Sequence, residues 1–292
     1  MPAESLRVMT FNLWHGGDAG KQPLEQSVRV VEAARADIVG FQETIGIASA
    51  GATAGDNGTR IAEKLGWHYL VQSPGKGIAS RFPIVSSTPS KIGATLSLPS
   101  GRTVTLFNVH LMYTPYQPYQ LLGIPYGDAP FITTEAEAIR EALAARGEQV
   151  RELLAEIEEA AKGSNKDDSF FVTGDFNEPS HLDWTAESQA AGHCPVKVEW
   201  PSTKMLADAG FQDAYRAINP DPVRKRGLTW TPTTALSDPK DHHDRIDFVL
   251  FRGHGVSAKV AEIVGESRVY ADTVVELYPS DHRAVVCEFS LR

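Results

Sequence analysis

Eight polar residues stand at the ends of short apolar runs: Asn12, Glu43, His110, Asp175, Asn177, Asp247, Asp281 and His282. Four are carboxylic acids, two are amides and two are imidazoles. Gathered at one place they would make an oxygen-rich site with imidazoles beside it. Hard oxygen donors suit Mg²⁺ or Mn²⁺ better than Zn²⁺. A divalent ion held that way neutralises phosphate charge and stabilises a leaving oxygen. Histidines close to carboxylates hold a raised pKa, which suits proton transfer or contact with a phosphate oxygen.

The densest part of this pattern is Phe171-Val172-Thr173-Gly174-Asp175-Phe176-Asn177-Glu178-Pro179. Phe170 to Val172 is β-branched and aromatic and runs up to a glycine, so it reads as a buried strand. Gly174 allows a close backbone approach. Asp175 and Asn177 are two apart, and in an extended chain both would share one face. Pro179 ends regular pairing. An acid and an amide delivered together are suited to handling a water molecule and a phosphoryl oxygen. The same residues also serve an ordinary Asp/Asn turn after a strand.

The elements that must position these groups follow from periodicity. Alternation predicts a strand at Leu6–Leu13, leading into Trp14-His15-Gly16-Gly17. Helical spacing of Leu24, Val28, Val31 and Ala34 follows, with Pro23 at the first turn and an end near Asp37. Ile38–Phe41 reads as a strand entering Gln42-Glu43-Thr44, and the Gly/Ala-rich residues 46–58 as a loop. Thr59 is expected to cap a short helix to Leu65, before a strand at Trp67–Val71. Ile78–Arg81 and Ile84–Ser87 read as a hairpin or edge pair around Pro83. Thr103–Leu111 alternates strongly and carries Asn108 and His110 at its end. From Thr134 to Lys162 the pattern is helical, with Gly147 a candidate break. Residues 180–202 look irregular, and Met205, Leu206 and Ala209 suggest a short helix. Gly227–Pro232 is flanked by turns. Strands are expected at Arg245–Phe251, Val256–Val264 and Ala284–Phe289, the last preceded by Ser280-Asp281-His282. The mixture without a long linker predicts one α/β domain with layered sheets over residues 1–292.

Residues 112–132 interleave Tyr113, Tyr116, Tyr119, Tyr126 and Phe131 with four prolines. They form either a wall beside His110 that stacks on a sugar, base or lipid headgroup, or a loop packed by its own rings. Trp14, Tyr113 and Tyr116 are candidate substrate contacts. Lys76 and Arg81 are candidate sources of positive charge. The Asp241-His242-His243-Asp244 run lacks the partners of a zinc site and reads as a solvated loop, from which His243 could reach a substrate. Ser280-Asp281-His282 are sequence neighbours and cannot line up as a nucleophilic relay. Gly75-Lys76-Gly77 lacks the spacing of a phosphate-binding loop.

A net charge of -9 argues against loose electrostatic binding to nucleic acid. Cys194 and Cys287 have no metal-like spacing and leave the redox compartment open. The first residues, Met1-Pro2-Ala3-Glu4, lack an apolar signal core, and no later run suggests a membrane span.

Asn12 after a strand, Gln42-Glu43-Thr44, Asn108-Val109-His110-Leu111, Gly174–Asn177, Arg245–Phe248 and Ser280–His282 occur in an order that resembles the endonuclease/exonuclease/phosphatase superfamily. The resemblance spans almost the whole chain. It implies a four-layer α/β sandwich, with two central, mostly antiparallel sheets flanked by helices and a site at one rim. It further implies Glu43 as the main ligand of Mg²⁺ or Mn²⁺, with Asn12 and Asp281 beside it. Asp175 would activate the attacking water, and Asn177 would bind developing phosphorane oxygens. His282, paired with Asp247, would meet the phosphate, and His110 would support it from the other side. The expected activity is in-line hydrolysis of a phosphoester by a monomer. Residues 112–132 match no core motif of the family.

Overall fold

The computed structural model describes residues 4–48, 55–73, 75–163 and 168–292. Met1–Ala3 and residues 49–54 of the Gly/Ala-rich loop lie outside the described residues.

Two sheets face one another. The first contains β1 (Glu4–Asn12), β2 (Ile38–Gln42), β3 (His68–Ser73), β4 (Lys76–Ser80), β11 (Val256–Gly265), β12 (Thr273–Val274) and β13 (Ala284–Leu291), in the order β12-β11-β13-β1-β2-β4-β3. The second contains β5 (Ile84–Ser87), β6 (Gly93–Ser97), β7 (Thr103–His110), β8 (Ser169–Asp175), β9 (Gln212–Asp213) and β10 (Asp247–Arg252), in the order β5-β6-β7-β8-β10-β9. Only β1–β2, β7–β8 and β11–β12 pair in parallel, so both sheets are mostly antiparallel.

Period-two alternation sorts each strand's side chains between two cores. Leu6 and Val8 of β1, Ile38 of β2, Ile78 of β4, Leu106 of β7, Phe171 of β8, Val249 of β10 and Phe289 of β13 meet between the sheets. Met9, Phe11, Val39 and Phe41 point the other way, under α1 (Leu24–Ala34) and α2 (Asn57–Leu65), through Val30, Val31, Ile61 and Ala62. On the far side Phe107, Phe170, Val172 and Phe248 pack beneath α4 (Glu135–Lys162) and α6 (Pro201–Asp208), which contribute Val150, Leu153, Ile157 and Leu206. The layers are therefore helix, sheet, sheet, helix. Truncating an interior ring such as Phe171, fully buried, would cost about 3–5 kcal/mol.

Gly40 sets the spacing between the sheets. A Cβ there would meet Thr173 Oγ1 at 2.1 Å and Asn108 Oδ1 at 2.4 Å. A Cβ at Gly174 would likewise meet the carbonyl oxygen of Val109, on the neighbouring β7, at 2.5 Å.

Several expectations need correction. The residues expected to form a hairpin around Pro83 split between sheets, because β4 pairs with β2 and β3 while β5 pairs with β6. Asp56, not Thr59, caps α2, accepting from the amides of Gly58 and Thr59 at 2.9 and 3.3 Å. Gly147 does not interrupt α4, since its neighbours Arg146 and Val150 are held in buried contacts and the Thr134–Glu137 capping box fixes the start. The 180–202 stretch holds a short α5 (Ala186–Ala190), and α3 (Gln117–Leu122) lies inside the tyrosine-rich segment. A last helix, α7 (Ala214–Ile218), precedes β10. Cys194 and Cys287 are both free and buried. Among the described residues no helix is long and apolar enough to cross a membrane.

Candidate active site

The inward-facing parity of each strand continues past the apolar core to one rim. In β1 the series Leu6, Val8, Thr10 ends at Asn12; in β7 Val104, Leu106, Asn108 ends at His110; in β8 Phe171, Thr173 ends at Asp175. Pairing brings these ends level, with His110 opposite Asp175, Asp175 opposite Asp247, and Gln42 opposite both Asn12 and Lys76. A buried polar layer separates the rim from the core. Gln42 Nε2 donates to Asn108 Oδ1 at 2.6 Å, and Asn108 Nδ2 donates to Gln72 Oε1 at 2.7 Å and to the Phe41 carbonyl at 2.9 Å. Gln42 and Asn108, both inside the quoted motifs, thus stitch the sheets together and do not face solvent.

The rim borders an open cleft of about 790 Å³ lined by Glu43, His110, Asp175, Asn177, Asp281 and His282, with Trp14, His15, Lys76, Tyr113, Tyr126 and Trp230 around them. Asp175 is 1% exposed. Its Oδ2 accepts from Asn12 Nδ2 of the other sheet at 2.9 Å and lies 3.5 Å from His110 Nε2 and 3.7 Å from His282 Nε2. Asn12 Nδ2 also lies 3.2 Å from Glu43 Oε1, so one amide clamps two acids. Asn12 Oδ1 accepts from the Trp14 amide at 2.9 Å, and Glu43 Oε2 from the His15 amide at 3.1 Å. Ser280 pins the last segment: its Oγ donates to the Asn12 carbonyl at 2.7 Å and accepts from the His282 amide at 3.0 Å.

The backbone is strained where it serves the cleft. Trp14, His15, Glu43 and Asn177 have φ of 56°, 53°, 51° and 48°, four of eight such non-glycine residues among those described. Left-handed geometry costs these side chains of order 1 kcal/mol each and persists only where surroundings enforce it. At Asn177 it changes the geometry read from sequence. Asp175 and Asn177 face the cleft together through a turn closed by Asn177 N donating to Asp175 Oδ1 at 2.8 Å, and not through strand alternation.

His282 Nδ1 meets Asp247 Oδ2 at 3.0 Å, both side chains buried. Burial opposes a charged imidazole, but Asp247, Asp175 and Asp281 outweigh it and hold His282 well above its ordinary range. Burial presses Asp247 upward, His282 pulls it down and Asp175 adds to the rise. We assign the shared proton to the imidazole, which faces three acids. Asp281 is pushed up to about 6, by burial first, against His282 and with Glu43 and Asp175 adding to the rise. Burial also lowers Lys76.

Oxygen donors of Glu43 and Asp281 therefore stand beside Asp175 with the His282 ring on one flank, and buried Asp281 Oδ1 has no hydrogen-bond partner. That donor set fits a hard divalent cation. Asn12 as placed offers its amide nitrogen, with its oxygen already engaged by Trp14. Ligand atoms of Asp175, Asp247 and His282 also lie within 4.8 Å of one another. A protonated ring bonded to Asp247 makes that trio an ion pair and not a ligand set.

Three residues expected at the substrate do not line this cleft. Arg81 follows the far end of β4 and pairs with Asp37 at 2.9 Å, since Lys76 begins that strand at the cleft. His243 is buried, its Nε2 2.9 Å from Thr234 Oγ1, and the 241–244 run is packed and not solvated. Asp244 within it accepts from Tyr116 Oη at 2.7 Å and Trp184 Nε1 at 2.8 Å. Tyr116, 4% exposed, lies behind the cleft wall. Trp230 was missed. It bridges Asp244 and His282 by backbone pairing, a long-range contact that no local spacing announces.

The chain matches the model of the Endonuclease/Exonuclease/phosphatase family over residues 9–282. It belongs to that family. Enzymes of this family are phosphoester hydrolases and generally depend on a divalent metal, and the rim geometry is consistent with that chemistry. An uncharacterized Caenorhabditis elegans protein, F14F9.5, is 27% identical over 305 residues, covering 99% of this chain and 92% of its own. Among solved structures, an endonuclease/exonuclease/phosphatase from Beutenbergia cavernae is similar with a TM-score of 0.60 at 20% identity, over 98% of this chain and 72% of that one. The human Nocturnin catalytic domain with a bound sulfate anion gives 0.55 at 16% identity, over 99% and 98%. These structural likenesses speak to the fold.

Proposed function

We propose that this family member hydrolyses a small or medium phosphoester, such as a lipid headgroup, sugar phosphate or nucleotide, with Mg²⁺ or Mn²⁺. The observation that carries the reading is Asp175, buried and touched from both sheets, with Asn12 at 2.9 Å and the His110 and His282 rings on its flanks. Glu43 and Asp281 would hold the cation, with Asn12 steadying Glu43. When bound, it supplies Lewis-acid charge against a phosphoryl oxygen.

Asp175 takes the proton of the attacking water, whose oxygen forms the new bond to phosphorus as the bond to the alkoxide breaks. The His282 imidazolium, fixed by Asp247, donates a hydrogen bond to a phosphoryl oxygen. The Asn177 amide and Lys76 add donors as charge develops there. His110 stands on the opposite flank, where it supports the phosphate and can protonate the departing oxygen. Positioning and electrostatics carry most of the acceleration.

The test is a panel of bis-p-nitrophenyl phosphate, p-nitrophenyl phosphate, plasmid DNA and phospholipid vesicles with each ion. Hydrolysis of the small esters, abolished in Asp175→Ala, is expected. Rapid plasmid nicking, lost in the same variant, would transfer the assignment to a nuclease. No cleavage with any divalent ion would leave a phosphate-binding module.

A further inference from the structure

Beside the cleft lies a second cavity of about 110 Å³ lined by Tyr113, Tyr116, Tyr119, Tyr126, Trp230, Ile246 and Asn177. It shares Tyr113, Tyr126, Trp230 and Asn177 with the cleft wall, so the two spaces adjoin. The Trp230 ring is 6.5 Å from the His282 ring, which puts this cavity one side chain away from the phosphate end.

Ring geometry separates the possible occupants. Tyr116 meets Tyr119 at 82° and Trp230 at 79°, and Tyr119 meets Tyr126 at 90°. Tyr119 and Trp230 come nearest to parallel, at 43°, so none of these pairs leaves the parallel slot that a flat base needs, and the rings enclose a box. The electrostatics favour positive charge. Tyr116 and Tyr119 donate their hydroxyls to Asp244 at 2.7 Å and Asp241 at 2.5 Å, so two acids stand behind the rings and enrich their faces. Among the described residues no carboxylate lines the cavity itself. A primary ammonium entering it would shed water without an acid to receive its N–H groups, whereas a quaternary ammonium has none to satisfy.

We propose that this aromatic box binds the trimethylammonium group of a choline phosphoester whose phosphate lies at Asp175 and His282. The proposal deepens the phosphoesterase reading and rests on it only for the cleavage step, because the box can be tested by binding alone. Both rings most open to solvent, Tyr113 and Tyr126, sit on the 112–132 segment, so an engineered loss there spares the core.

Calorimetry with Mg²⁺ present would compare phosphocholine with 3,3-dimethylbutyl phosphate, the neutral carbon isostere, and with cytidine monophosphate. Phosphocholine should bind about tenfold more tightly than the isostere, as expected for a cation among desolvated rings. Tyr126→Leu should erase most of that ratio, and Tyr126→Phe should keep it. Equal affinity for phosphocholine and the isostere, or a ratio unchanged in Tyr126→Leu, overturns the box. So does tighter binding of the nucleotide, which would make the rings a base platform. Hydrolysis of p-nitrophenyl phosphorylcholine is scored separately: a selective box without cleavage sinks the hydrolase reading alone, and cleavage without selectivity sinks the box alone.

Discussion

Asp247→Asn tests whether the His282 ring needs an anion behind it. The variant keeps volume and can still accept from His282 Nδ1, now as a neutral bond. Its new NH₂ replaces Asp247 Oδ1, a buried atom with no partner, so the fold should register little change. What is lost is charge. A hydrogen bond to a charged group contributes about 1.5–3 kcal/mol and a neutral one about 0.5–1.5, a difference of about 1–1.5 kcal/mol and roughly tenfold in rate. The full Coulombic attraction across the 3.0 Å contact, about 5.5 kcal/mol at an effective dielectric near 20, sets the upper bound and includes that hydrogen bond. The expected fall in kcat/KM for bis-p-nitrophenyl phosphate is therefore between about tenfold and about ten-thousandfold. Melting temperature should stay within a few degrees. Asp247→Glu, which restores charge at a shifted position, should recover part of the loss. A rate within twofold of the parent, at unchanged stability, would refute the assignment of Asp247 as the residue that positions and charges His282.

Three other outcomes follow from the same contacts. Asp175→Asn should lower kcat about 10²–10⁴-fold with the metal requirement little changed, while Glu43→Gln should raise the Mg²⁺ concentration for half-maximal rate. Equal shifts in metal requirement would contradict the division of roles. Arg245→Met should destabilise by about 3–5 kcal/mol in urea denaturation, because Arg245 pairs with Asp183 at 2.9 Å and Asp213 at 2.8 Å in buried surroundings. A loss under 1 kcal/mol would mean those acids find other partners. Burial lowers His243 below its ordinary 6.5, so the folded state binds fewer protons there than the unfolded chain. Its stabilising contribution is present above about pH 6.5 and is lost below it, by up to about 1.4 kcal/mol per pH unit. Urea midpoints at pH 7.5 and 5.5 should therefore converge in His243→Gln relative to the parent. His282, raised and so opposite in sign, is common to both proteins and cancels.

The strands were legible because alternation in this chain is strict where two cores must be filled. Once Phe171 is inward and Val172 outward, the inward placement of Thr173 and Asp175 follows, and the same parity runs through β1, β7 and β10. Elements that alternation does not govern were harder. Ile78–Arg81 and Ile84–Ser87 are both apolar and close in sequence, yet their partners β2 and β6 lie in different sheets, and sequence proximity misled. Arg81 and Lys76 show the consequence: Lys76 begins β4 and Arg81 follows its end, and only the pairing with Gln42 places Lys76 at the rim. His243 and Asp244 looked hydrated by composition, but Tyr116 and Trp184 donate to Asp244 from 128 and 60 residues away. Contacts at that separation leave no local signature.

Core and chemistry here share one surface. The face that presents Leu6, Val8, Leu106 and Phe171 to the opposite sheet presents Asn12, His110 and Asp175 at the rim, so any one-residue slip in pairing would expose apolar groups and disperse the rim groups together. Stability therefore guards the reaction geometry without a separate device, and it also forbids much variation within the strands. Whatever distinguishes one ester from another has to be built where register is not at stake. In this chain the cleft-lining residues free of that constraint include Trp14, Tyr113 and Tyr126, all on connections between strands. Substitutions there should change which ester is taken and leave the in-line chemistry intact, whereas substitutions at Asn12 or Asp175 should slow every ester alike. A variant of Tyr126 that lowers turnover of all phosphoesters equally would break that separation.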